Sequence, residues 1–267
     1  MMARLLFTLT RLRVTIGYTS VLLAVAATLL VLGPRAHDIV VSHMSTNLHN
    51  LLHGHFGTLL GSALVTENGP IYVWLPGLAC LLALAELFWR SGRLVFTFAI
   101  GHVGATLIVA VGLIAAIRFG WTPVSVARAT DVGISYGAVA VLGALTAAVP
   151  LRRRSAWIGW WLAVGLAVVA FDRDFTDLGH VVALTLGMLV SLRFSSVERW
   201  TPARCVLLGV GASFGYLMLV NTGLPVIVAP LFGVTGAVAG HWAARWRSRR
   251  SPLTAVPVVI PEPVLHG

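Results

Sequence analysis

Lysine is absent from this chain, acidic residues are scarce, and cysteine nearly so. Only 10% of the 267 residues are charged, 9 acidic against 19 basic, and every basic side chain is Arg. A water-soluble domain carries about 25% charged residues, so that class is excluded. Cys80 and Cys205 lie far apart inside apolar runs, which excludes a disulfide framework and a thiolate metal cluster with ligand spacing. There is no Gly-rich phosphate loop and no clear inverted repeat of the transporter kind. The all-Arg basic set fits a high-GC bacterial coding bias.

Apolar residues fill the space the charges leave. They make up 58% of the chain, and the mean hydropathy is +0.90. Apolar windows recur near 15–33, 71–89, 95–117, 132–150, 156–171, 178–194, 205–221 and 224–243, each long enough to cross a hydrocarbon core of about 30 Å as a helix. Lipid cannot satisfy an open sheet edge, so the expected fold is all-α and polytopic. The first window is expected to remain as a helix, because "LVLGPRAHD" has no small-residue cleavage site.

Arginine placement sets the topology. With eight spans and an inside N-terminus, 15 of the 19 Arg fall on inner segments, and only Arg35, Arg118, Arg128 and Arg173 fall outside. That asymmetry predicts cytoplasmic N- and C-termini in a multi-pass protein of the cell membrane. The net charge of +10 is then a topology signal with the lipid bilayer as its partner, and not a nucleic-acid footprint. The organisation expected is a cytoplasmic N-terminus at 1–14, a helical core at 15–195, two further spans within 196–245 and a disordered Pro-rich cytoplasmic tail at 246–267.

Polar groups in the apolar chain mark the candidate chemistry. The outer loop at 34–70 contains "NLHNLLHGHFGTLLGSALV", too apolar for a free loop and too interrupted to span, so an interfacial or re-entrant helix is expected. Its His43, His49, His53 and His55 include an i, i+4 pair of the kind that holds Zn²⁺. No Glu follows the first His as in H-E-x-x-H, and no metal or other cofactor is assigned. His102, in the third span, is expected to pack against or bond a neighbouring helix. Two further outer turns lead into spans bearing Ser135 and His180, the second through Asp172, Asp174 and Asp177.

Ser135 lies three residues into the fourth window and His180 two residues into the sixth. Both windows run inward, so helical rise puts both side chains about 5 Å below the outer boundary. On the fourth, Gly133 and Gly137 form a small-x-x-x-small pair, and Ser135, Val139 and Gly143 share a face. On the sixth, His180, Ala183 and Gly187 share a face. Small residues let membrane helices approach closely. A Ser hydroxyl becomes a useful nucleophile when a neutral His accepts its proton at hydrogen-bond distance. The pattern therefore nominates Ser135 and His180 as a catalytic dyad.

These residues resemble the rhomboid family of intramembrane serine proteases. "GIS" at 133–135 is similar to the family's G-x-S at the start of the fourth helix, and "GHVVALTLG" at 179–187 is similar to its sixth-helix His with small residues at +3 and +7. "AELFWRSGRL" at 85–94 is similar to the segment where a family Glu precedes a tight turn, which implies a structural-turn role for Glu86. The chain departs from the family at three places. Tyr136 stands where a Gly usually follows the Ser, Val139 stands where an aromatic supports the His ring, and "GPIYVWLPG" at 69–77 lacks the H-x-x-x-N that stabilises the oxyanion. Asn68, Tyr72 and the Gly133 region are the candidate replacements in that supporting role. The resemblance implies a six-helix core plus two additional C-terminal spans. It also implies cleavage of a transmembrane protein substrate near the outer face. The alternative is a catalytically silent relative that binds membrane clients or partners; a metal-binding protein or small-solute transporter is a third reading. No oligomeric state follows.

Overall fold

The computed structural model describes residues 10–66, 71–195, 200–220 and 223–250. Asn68 and the tail past residue 250 lie outside the described residues. All regular elements among those described are helical. They are α1 (Arg13–Leu32), α2 (Pro34–Met44), α3 (Leu48–Leu52), α4 (Thr58–Gly61), α5 (Ile71–Ala99), α6 (Ala105–Arg118), α7 (Ser135–Ala144), α8 (Leu151–Asp172), α9 (Phe175–Ser191), α10 (Pro202–Leu219) and α11 (Pro225–Arg250). Five stretches are long and apolar enough to cross a membrane, and α7 and α9 are shorter apolar helices. One of the five, the 48-residue stretch from Ile71 to Arg118, folds back on itself at Arg90, where φ is 68° and ψ 165°. Taken as two helices, it brings the apolar helical segments among the described residues to eight, as the apolar windows predict. Leu30, Val31 and Leu32 at the end of α1 are exposed, as lipid-facing residues are.

Glu86 explains how the reversal at Arg90 is tied to the rest. Its carboxylate accepts from the backbone N–H groups of Val14 (3.0 Å) and Thr15 (2.9 Å), from Thr15 Oγ1 (2.7 Å) and from Ser91 Oγ (2.6 Å). The N-cap residue of α1 is Leu12, which offers no side-chain cap. Glu86 therefore stands in as the acceptor for first-turn N–H groups that no helix can satisfy by itself, and its negative charge complements the positive end of the helix dipole.

α7 lies at the centre. Every residue from Tyr136 to Ala144 is buried, the pattern of a helix that is apolar all round and enclosed all round. α9 packs on it backbone to backbone. A Cβ added at Gly187 would sit 1.9 Å from the Ala140 carbonyl oxygen, and one at Gly143 would sit 2.3 Å from the Leu184 carbonyl oxygen. The two helices after the core find different partners. α10 packs on α5, where Gly77 meets Phe214 and Gly211 meets Leu81; α11 packs on α8 through Gly159 and Gly236. Replacing Gly187 with Val is expected to cost at least about 3 kcal/mol, the upper end of overpacking. The same change at Gly209, which has nothing within 4 Å, is expected to be tolerated. Thermal scans of both variants in detergent check this.

The segment between α1 and α5 is a chain of short pieces. α2, α3 and α4 are followed by a 3₁₀ turn at Ser62–Leu64, where a single interfacial or re-entrant helix was the expectation. Gly54, with φ of +81°, and the short helices around it fold the segment back toward the helices.

Candidate functional site

α7 begins at Ser135 itself, three residues later than the apolar window. Residues 131–134 form a turn in which Gly133 takes φ of +122°. Gly133 is therefore not on the helix, and the expected small-x-x-x-small pair with Gly137 does not form. Gly137 packs instead against Phe98, whose ring carbons lie 2.4 Å from a Cβ built there. The contact between the Tyr136 and His180 rings, with centroids 5.3 Å apart, puts His180 beside the first turn of α7.

His180 is 3% exposed, and neither ring nitrogen has a hydrogen-bond partner. Its nearest charged group is Asp177, with Oδ1 3.9 Å from Nδ1, beyond hydrogen-bond range. Tyr136 holds the ring from the side. The two rings meet edge to face with centroids 5.3 Å apart, and the Tyr136 hydroxyl occupies the space over Gly179 that a Cβ would fill. Tyr136 thus gives the imidazole an aromatic neighbour, though Val139 stands at the position where the family resemblance looks for one. Tyr136 follows Ser135 directly, and its value was hidden because it reads as a departure. No hydrogen bond joins Ser135 to His180 in the structure. The two are brought to the facing ends of α7 and α9, with Val139, Gly143, Ala183 and Gly187 buried below them.

The supporting candidates separate. The Gly133 N–H donates to the Ser62 carbonyl at 2.9 Å and is therefore occupied. Tyr72 is 74% exposed and lines a groove of about 560 Å³ with Leu22, Leu30 and His37; it makes no hydrogen bond to Ser135 or His180. The N-cap of α7 is Ile134, whose side chain offers no cap to the first-turn N–H groups that begin at Ser135. Between α1 and α5, the His53 Nδ1 is engaged by the His49 carbonyl at 2.7 Å. Among the described residues no three His, Cys, Asp or Glu side chains converge on a metal position. Desolvation, and then His53, Arg128 and His55 nearby, lower the His49 pKa from its ordinary value.

The pattern of spans and Gly spacings did not reveal the polar clasp that holds the Ser135 turn. The Ser45 Oγ accepts from the Asp131 N–H (2.9 Å), the Thr46 N–H donates to the Asp131 carbonyl (2.8 Å), and the Thr46 hydroxyl donates to the same carbonyl (2.9 Å). Ser45 and Thr46 are buried. The signal available was the run "STN" at 45–47 in an otherwise apolar loop. Buried hydroxyls need partners, and here the partner is the segment leading to Ser135.

Fold and site together define a multi-pass helical membrane protein. At its centre is a fully enclosed helix, and a buried imidazole lies beside that helix's N-terminus. A family model described as rhomboid-like protein matches residues 12–199, and the chain belongs to that family. The match takes in α1 to α9 and ends before α10. No curated protein and no solved structure matches the chain.

Proposed function

We propose that the protein is an intramembrane serine endopeptidase that cleaves transmembrane protein substrates near the outer face of the cell membrane, its termini lying in the cytoplasm. The observation that carries this reading is the state of His180, which is buried, flanked by Tyr136 and without a partner on either ring nitrogen. Burying a polar group without a hydrogen bond costs free energy, and its position beside the first turn of α7 gives that cost a use.

Ser135 Oγ attacks the scissile carbonyl carbon while its proton passes to His180. The resulting oxyanion takes hydrogen bonds from the first-turn N–H groups of α7, whose dipole is positive at that end. His180 then gives the proton to the leaving amine, and water, activated by the same imidazole, releases the acyl group from Ser135. The N-terminus of α7 thus performs the task for which "GPIYVWLPG" holds no His or Asn. The serine and the imidazole are not hydrogen-bonded to each other, and the bond forms as substrate binds.

The test is cleavage of transmembrane reporter segments in proteoliposomes. The native protein is expected to cut at the outer end of the segment, and Ser135→Ala is expected to leave no cut above background. A folded native protein that binds reporters and cuts none of a varied panel would overturn this reading in favour of a client-binding relative.

A further inference from the structure

The Ser–His contact that is hydrogen-bonded lies elsewhere, between the loop that links α1 to α5 and the third pass. Ser62 Oγ is 3.1 Å from His102 Nε2, Ser62 is fully enclosed and His102 is buried. The hydrogen-bond partner of His102 is thus Ser62, the first residue of the short 3₁₀ helix between α4 and α5. The same Ser62, through its carbonyl, accepts the Gly133 N–H at 2.9 Å, two residues before Ser135.

The third pass is built to reach both places. Residues Ile100–Gly104 form a π turn, a widened turn that inserts one residue into the helical frame. Within it Gly101 faces α7, where an added Cβ would lie 2.0 Å from the Ala140 Cβ, while the next residue, His102, faces the loop. Phe98 closes the gap, stacked on the His102 ring with centroids 6.2 Å apart and filling the space beside Gly137. From the opposite side the Tyr18 hydroxyl donates to the Ala63 carbonyl at 2.5 Å, so the loop keeps an anchor to α1 that does not depend on His102.

We infer that His102 is a positioning residue for the Ser135 turn. Through Ser62 it fixes the loop against Gly133 and so sets the direction in which the first residue of α7 points. The inference rests on the reading of Ser135 as nucleophile for its consequence, but not for its geometry. A Ser held by one short turn depends on the atoms that hold the turn, because a misplacement of about 1 Å costs on the order of a hundredfold in rate.

Hydrogen exchange of the full-length protein in detergent, read at residues 131–135, tests the geometry; the rate of fluorophosphonate labelling of Ser135 tests the consequence. His102→Leu and Ser62→Ala each remove the bond, and His102→Gln keeps an amide where Nε2 stood. The first two are expected to speed exchange of the Gly133 segment about tenfold or more, the factor that corresponds to one lost hydrogen bond, and to slow labelling by a similar factor. His102→Gln is expected to stay within about threefold of native in both. Should His102→Leu fail to fold, Ser62→Ala carries the comparison, with the loop still held by Tyr18. Native-like exchange in folded His102→Leu or Ser62→Ala protein overturns the inference, as does a His102→Gln variant that exchanges as fast as His102→Leu. If the native protein takes no label, the nucleophile reading falls, and exchange alone then decides whether His102 positions the turn.

Discussion

Replacing His180 with Phe is expected to abolish peptide hydrolysis and to leave the folded protein as stable as before, or more so. Both ring nitrogens of His180 are buried and without hydrogen-bond partners. A phenyl ring keeps the edge-to-face contact with Tyr136 and removes two unsatisfied polar atoms, which favours the variant by about 1 kcal/mol. The same change removes the imidazole that takes the Ser135 proton in the proposed reaction, and general-base catalysis contributes about a hundredfold to ten-thousandfold. Tm in detergent and reporter cleavage, measured on one preparation, check both halves. A group held for packing alone would show the opposite pattern, with stability falling and any activity kept. Stability exchanged for activity in this way marks a site that works against its own fold.

Glu86 is expected to behave the other way. Glu86→Ala leaves the Val14 and Thr15 N–H groups, the Thr15 hydroxyl and the Ser91 hydroxyl without their shared acceptor, in a place where the carboxylate itself is 1% exposed. Several buried donors stranded together cost at least about 3 kcal/mol, which for a chain of this size lowers Tm by about 10 °C. Glu86→Gln is expected to fall between native and Ala, because the amide oxygen still accepts while its NH₂ faces donors. Ser91→Ala removes one bond of the set and is expected to cost about 1 kcal/mol. Differential scanning fluorimetry of the four proteins orders them. Equal Tm values for native and Glu86→Ala would show that the carboxylate does not hold α1 to the Arg90 reversal.

The passes were legible because lipid imposes a length on every apolar run, and each of the eight windows contains a helix. Interruptions inside a window left no such trace. The start of α7 at Ser135 depends on the clasp of residues 131–133 against Ser45, Thr46 and Ser62, which are separated from them by some 70 to 90 positions; hydrogen bonds between such distant segments carry no periodicity. His102 shows the same limit. Its neighbours in sequence are apolar and small, and only the π turn at Ile100–Gly104 turns it toward the loop. Tyr136 was visible as a residue and obscure as a part, since its use follows from the absence of a side chain at Gly179. The placement of α10 on α5 and of α11 on α8 was likewise unreadable, because a small-residue face says that a helix packs closely and not which helix it meets.

The central claim is that Ser135 is a nucleophile activated by His180, and site-mapped labelling tests it most directly. Detergent-purified native protein is exposed to a fluorophosphonate, which loses fluoride to an activated serine oxygen, and the adduct is located by peptide mass spectrometry. The adduct is expected on Ser135, present in native protein and absent from Ser135→Ala and His180→Phe. An adduct on Ser135 that persists at the native rate in His180→Phe, or folded native protein that takes no adduct at Ser135 from any of several probes, would contradict the account.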